Sequence, residues 1–156
     1  RMKRGILHDQ RSVRFLDEEE ISRLEGFVLI NDYLQRKREE LEQWNASLKA
    51  RGANPVNSRR ITNIGTFRAY IQQYLTNLPA INQNMTIMVR QLQPTPAGIP
   101  LQVYCFTRTT KWVEYEGIQA DIFDHLLAIL PTFDLRVFQQ CSDVTGMPTS
   151  NQSVSL

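Results

Sequence analysis

WVEYEGIQADIFDHLLAILPTFDLRVFQ, residues 112–139, combines an apolar helical stripe, a proline stop and a short returning apolar run. Trp112, Tyr115, Ile118, Ile122, Leu126 and Ile129 recur at intervals of three and four, which places them on one face of a helix. Thr110 is placed to cap that helix, and Leu130 with Pro131 to end it. Glu114 and Glu116 lie in the first turns, where the helix dipole favours negative charge. The run LRVF at 135–138 then reads as a brief strand, so the stretch closes a sheet.

Working upstream, residues 99–107 and 85–92 read as two strands joined as a hairpin through the turn-rich segment 94–98. Before them, Phe67, Tyr70, Ile71, Tyr74, Leu75 and Leu78 form a second apolar helical face that Pro79 ends. A first strand at 5–8 completes the order strand, helix, strand, strand, helix, strand. That order is the α+β, ferredoxin-like split βαβ arrangement, with two helices on one face of an antiparallel sheet. Along 99–107, Leu101, Val103 and Cys105 point one way while Tyr104 and Phe106 point the other. Neither face is wholly polar, so the second face is expected to have a cover: the long helix described next, a neighbouring domain or another subunit.

Asp17 and Glu20 form a capping-box pattern that opens a long helix over 17–50. Within it Phe27, Leu34, Leu41 and Leu48 repeat every seven residues, Ile30 and Trp44 fall between them, and Lys37 interrupts the seam. The pattern suits either a helix lying on its own domain or an arm for self-association. Phe27, Ile30, Leu34, Leu41, Trp44, Leu48, Tyr104 and Phe106 are therefore the candidates for packing or subunit contact. The segment RGANP at 51–55 breaks the helix and sets 17–58 apart as a helical insertion. The α/β unit follows at 59–140, and a polar tail occupies 141–156.

The chain has 156 residues, 42% of them hydrophobic, which suffices for one domain with a core. Its 18 basic and 16 acidic side chains leave a net charge of only +2, unlike the strongly basic surface of a dedicated nucleic-acid binder. Cys105 and Cys141 have no metal-like spacing, and a reducing, cytoplasmic setting is the simpler reading. No window approaches the roughly 20 apolar residues that span a bilayer, and none resembles a signal peptide. The opening RMKR and the polar ending TSNQSVSL suggest a fragment of something longer.

Asp121, Asp124 and His125 stand at i, i+3 and i+4, a spacing that lets side chains meet one cation. They lie off the apolar stripe, so a solvated face with a local Asp121–His125 hydrogen bond is the simpler account. His8 is the only other histidine, which leaves little for a zinc site or a histidine relay. No phosphate loop, nucleophile elbow or other catalytic motif occurs, so neither an enzyme nor a cofactor is expected. Cys105 sits in an apolar strand, where a thiol packs more often than it reacts. Tyr104 and Phe106 invite comparison with strand aromatics that stack on RNA bases, but the glycine and aromatic spacing of those strands is missing. The basic clusters at 1–4, 36–38 and 59–60 read as solvated charge, the first lying near anionic lipid if the parent protein sits in a membrane.

The runs ITNIGTFR (61–68), MTIMVRQL (85–92), TPAG (95–98), VYCFT (103–107) and WVEYEGIQADIFDH (112–125) together resemble one family. They look like the cytoplasmic carboxy-terminal region of an MscS-like small-conductance mechanosensitive ion channel, of the YbdG-like branch. The resemblance is best over 60–139. It implies transmembrane helices and a β domain upstream, with 1–16 as a strand or linker from that β domain. It further implies an inner-membrane channel whose α/β domains, on the cytoplasmic side, build a hollow vestibule in a heptameric ring. The implied function is passive release of ions and small solutes in hypo-osmotic shock, with this region serving assembly, solute filtering and modulation of gating. The insertion at 17–58 departs from the smallest family members. The competing class is a stand-alone ferredoxin-like regulatory or ligand-binding module.

Overall fold

The computed structural model describes residues 1–52, 54 and 58–140. Met2–His8 forms strand β1, Glu18–Glu25 helix α1, Val28–Ala50 helix α2 and Asn63–Thr76 helix α3. Met88–Gln91 forms β2, Ile99–Cys105 β3 and Trp112–Ile129 α4, with 3-10 turns at Gln10–Ser12 and Leu130–Phe133. The fold is α+β. Its three-stranded sheet has the order β1-β3-β2, and both pairings are antiparallel.

Alternation along β3 decides where the core lies. Ile99, Leu101, Val103 and Cys105 are buried, while Pro100, Gln102 and Tyr104 between them are not. β1 begins earlier than the 5–8 stretch suggests, because Met2 is completely buried and its Sδ lies 3.9 Å from Cys105 Sγ. Phe67, Ile71 and Leu75 from α3 and Ile122, Phe123 and Leu126 from α4 join the same cluster. Each such side chain contributes about 1.5–3 kcal/mol through removal of apolar surface from water.

The helix read over 17–50 is two helices. The capping box at its start is present: Glu20 N donates to Asp17 Oδ1 at 2.8 Å and Asp17 N to Glu20 Oε1 at 3.3 Å. The break falls at Gly26, which caps α1, and at Phe27, whose extended backbone (φ −86°, ψ 117°) starts α2. Glycine is a poor interior helix residue, and Asn31 Nδ2 takes up the freed Glu25 carbonyl at 2.8 Å. Arg38 then reaches back to Glu25 and Glu18, at 2.6 Å each, which holds α1 against α2.

Two strands are shorter than the 85–92 and 135–138 runs suggest. β2 keeps only Met88–Gln91. A turn at Asn82–Met85 precedes it, and beyond it Leu92 N donates to Pro100 O at 2.9 Å while Pro100 has no N–H to return. The 135–138 run is reduced to one antiparallel bridge, Val137 to His8. Asp9 N donates to Arg136 O and Phe138 N to Leu7 O, each at 2.8 Å. Arg136 N is taken by the Ser12 hydroxyl at 3.2 Å, so a side chain replaces the next backbone partner and pairing stops.

Two details of α4 also differ from the periodicity. Its N-cap is Lys111, without a side-chain cap, so Thr110 does not cap it. Trp112 is 75% exposed because the first turn projects past the buried cluster, and its Nε1 donates to Glu116 at 3.0 Å. Ile122 and Leu126 carry the stripe into the core. The Cys141 position and the 141–156 tail lie outside the described residues.

Candidate functional site

Strand register assembles the second face of the sheet. Lys3 and Met88 flank Tyr104, Gly5 and Arg90 flank Gln102, and Leu7 lies opposite Pro100. Tyr104 and Phe106 are half-buried and meet edge to face, with ring centroids 5.5 Å apart and planes at 88°. Leu7 remains 38% exposed and Met88 36%. Arg90 Nε and Nη2 both donate to Gln102 Oε1, at 2.9 and 2.7 Å, which pins a cation across the face. None of the three strands contains an acidic residue. The result is an apolar and aromatic surface, weakly basic, beside a fully packed core.

The α2 candidates divide. Ile30 and Leu34 are fully buried and Leu41 nearly so, within this chain's own core cluster. Phe27 and Trp44 stay partly exposed, and Leu48 is half-buried. Trp44 is covered on one side by the Arg59 guanidinium, 5.4 Å from its ring centre. Asn45 fixes that arrangement by accepting from Arg59 N at 2.8 Å and donating to Arg59 O at 3.0 Å.

His125 does not turn to Asp121. Its Nε2 lies 2.6 Å from Tyr70 Oη, and its ring stacks on Tyr74 at 4.4 Å, so it links α4 to α3. Burial raises the Tyr70 and Tyr74 phenols above their usual range, with Asp121 adding to the effect at Tyr74. Among the described residues no group of three His, Cys, Asp or Glu side chains converges as a metal site. Cys105 is buried, and desolvation pushes its thiol up to about 11, which favours packing over reactivity.

Among the buried polar residues, Asn63 and His8 hold places in the interior that their sequence positions do not announce. Asn63, at the start of α3, donates through Nδ2 to Ser12 O and Phe133 O, and its Oδ1 accepts from Arg14 N and Ile64 N. His8 is completely buried, and neither ring nitrogen has a hydrogen-bond partner. Period-two alternation from buried Ile6 was the available signal for His8; nothing local marked Asn63.

No protein-family model matches the chain. Over 96 aligned residues, covering 54% of the chain, it is 28% identical to the low conductance mechanosensitive channel YnaI of Escherichia coli (strain K12). The chain spans only 28% of that protein's length. The similarity supports kinship with the MscS-like mechanosensitive channels at the level of the family. Among the described residues no helix is long and apolar enough to cross a membrane.

Proposed function

We propose that this chain is the cytoplasmic α/β region of an MscS-like mechanosensitive channel, which releases ions and small solutes when membrane tension rises. The similarity to a channel named for that property carries the reading. In it, residues 59–140, with β1 (Met2–His8) supplying the strand beside β3, form a ferredoxin-like unit. The order β1-β3-β2 with the Val137 bridge outside β1 supports that description. Residues 1–16 lead in from an upstream β domain and supply β1 to this sheet, and 17–58 are an insertion on the helical side. The run 112–125 supports placement in the YbdG-like branch.

The role of the region is assembly and filtering, with no chemical step. The sheet face around Tyr104 and Phe106 is the proposed contact with a neighbouring subunit or with the β domain, in a ring that family precedent makes heptameric. An aromatic and aliphatic surface without acidic residues is the composition that interface cores favour.

The test is expression of the complete reading frame in bacteria stripped of mechanosensitive channels. The expected result is a tension-gated current in membrane patches and better survival of hypo-osmotic shock. A correctly inserted protein that gives neither would overturn the proposal.

A further inference from the structure

The C-terminal segment 134–138 is clipped to the first strand around a single buried histidine. Asp9 N donates to Arg136 O, Phe138 N to Leu7 O, and Arg136 N to Ser12 Oγ. His8 lies at the centre of these bonds, paired with Val137 on one side and with Ile99 of β3 on the other. Its ring stands edge-on to Phe67 of α3 at 5.7 Å, and both ring nitrogens are sealed without an acceptor. A neutral imidazole tolerates this pocket at a cost, whereas an imidazolium, with two donors and no partner, does not.

We propose that His8 is an acid-sensitive latch, whose protonation releases segment 134–138 from β1 and exposes that edge of the sheet. The ring's contact on α3 and the strand-pair neighbours of His8 carry no charge. Phe67 comes from α3, Ile99 from β3 and Val137 from the C-terminal segment, all of them apolar. The neighbouring charges are Asp9, Arg11 and Arg136. The Asp9 carboxylate is bound by Arg11 through Nε and Nη2, both at 3.1 Å, and is held below the usual carboxylate range by it. It does not hydrogen-bond to His8.

Desolvation lowers the His8 pKa from 6.5 to about 4. The latched state is therefore favoured fully above pH 6.5 and loses that advantage progressively as pH falls from 6.5 to about 4. By linkage the latch weakens about tenfold between pH 7.5 and pH 5.5, well before carboxylates held by arginine titrate.

The experiment is amide hydrogen exchange by NMR on the full chain, with the His8 ring signals followed over the same pH range. Protection at Asp9, Arg136 and Phe138, taken relative to Leu101 and Val103, should fall about tenfold from pH 7.5 to pH 5.5. In His8→Phe, or in His8→Leu should the larger ring misfold the protein, this relative loss should vanish. A His8 ring that titrates near 6.5 with unchanged protection would overturn the proposal. So would a folded variant that keeps the acid-induced loss.

Discussion

Tyr104 and Phe106 meet edge to face, 5.5 Å apart, one strand position away from Val103 and Cys105, which are closed off from solvent. Neighbouring residues on one strand thus serve different ends. Replacing both aromatics by lysine should change the stability of the isolated chain by less than about 1 kcal/mol, as befits half-exposed positions. Leu101→Ala should cost about 2–5 kcal/mol through the cavity it leaves. Urea denaturation compares the two. In the complete protein the lysine pair should instead reduce the assembled fraction seen by light scattering. Equal effects on folding from both changes would remove the face as a contact surface.

Asn63 joins segments that are 51 and 70 residues away, through Ser12 and Phe133. Its amide satisfies two buried carbonyls and its carbonyl accepts from two backbone amides. Asn63→Ala strands several of these groups at once and should cost about 3 kcal/mol or more. Chemical denaturation measures the loss. A cost under about 1 kcal/mol would show that the junction holds without it.

Much of this architecture was legible because it rests on local patterns. The Asp17–Glu20 box, the α3 and α4 faces and the hairpin of β2 and β3 depend on periodicity and caps. Tyr104 and Phe106 followed from period two. Leu7 and Met88, which share their face, required the register, and register depends on partners. The heptad pattern hid the break at Gly26 because Ile30, Leu34 and Leu41 keep their spacing within α2 alone. Trp112 fits the α4 stripe by spacing yet stays exposed, since a helix can outrun the surface it covers. Asn63 and the His8 latch arise only where distant segments meet, and no single stretch encodes such a junction.

Arg14 bonds to both Glu20 and Asp134, tying the start of α1 to the turn after α4. The Arg14 hydrogen bond pushes the Glu20 carboxyl down from 4.5 to about 2. A carboxyl with a lowered folded pKa stabilises the protein above 4.5, and that contribution is lost as pH falls through about 2. Glu20→Gln retains a capping-box side chain but not the charge. The variant should be less stable than the parent at pH 7 and equal to it near pH 2. Melting temperatures across that range provide the check. A deficit that stays constant with pH would show that the ion pair contributes nothing.

Gly98 has φ +105°, and a Cβ there would stand 2.5 Å from His8 O and 3.0 Å from Phe138 Cβ. The missing side chain lets the turn before β3 pass beside the end of β1 and the returning C-terminal segment. Gly52, at φ +70°, has among the described residues no atom beyond its chain neighbours within 4 Å of its would-be Cβ, so it reports the cost of backbone conformation. Gly52→Ala should cost about 1 kcal/mol, and Gly98→Ala about 3 kcal/mol or more because displaced backbone adds to the strain. The Gly98 variant should also lose hydrogen-exchange protection at Phe138, whose N–H bonds to Leu7 O, before it loses protection at Val103 in mid-strand. A uniform loss across the sheet would place the strain in the whole fold, and an unchanged Phe138 would mean that the C-terminal segment does not depend on this close approach.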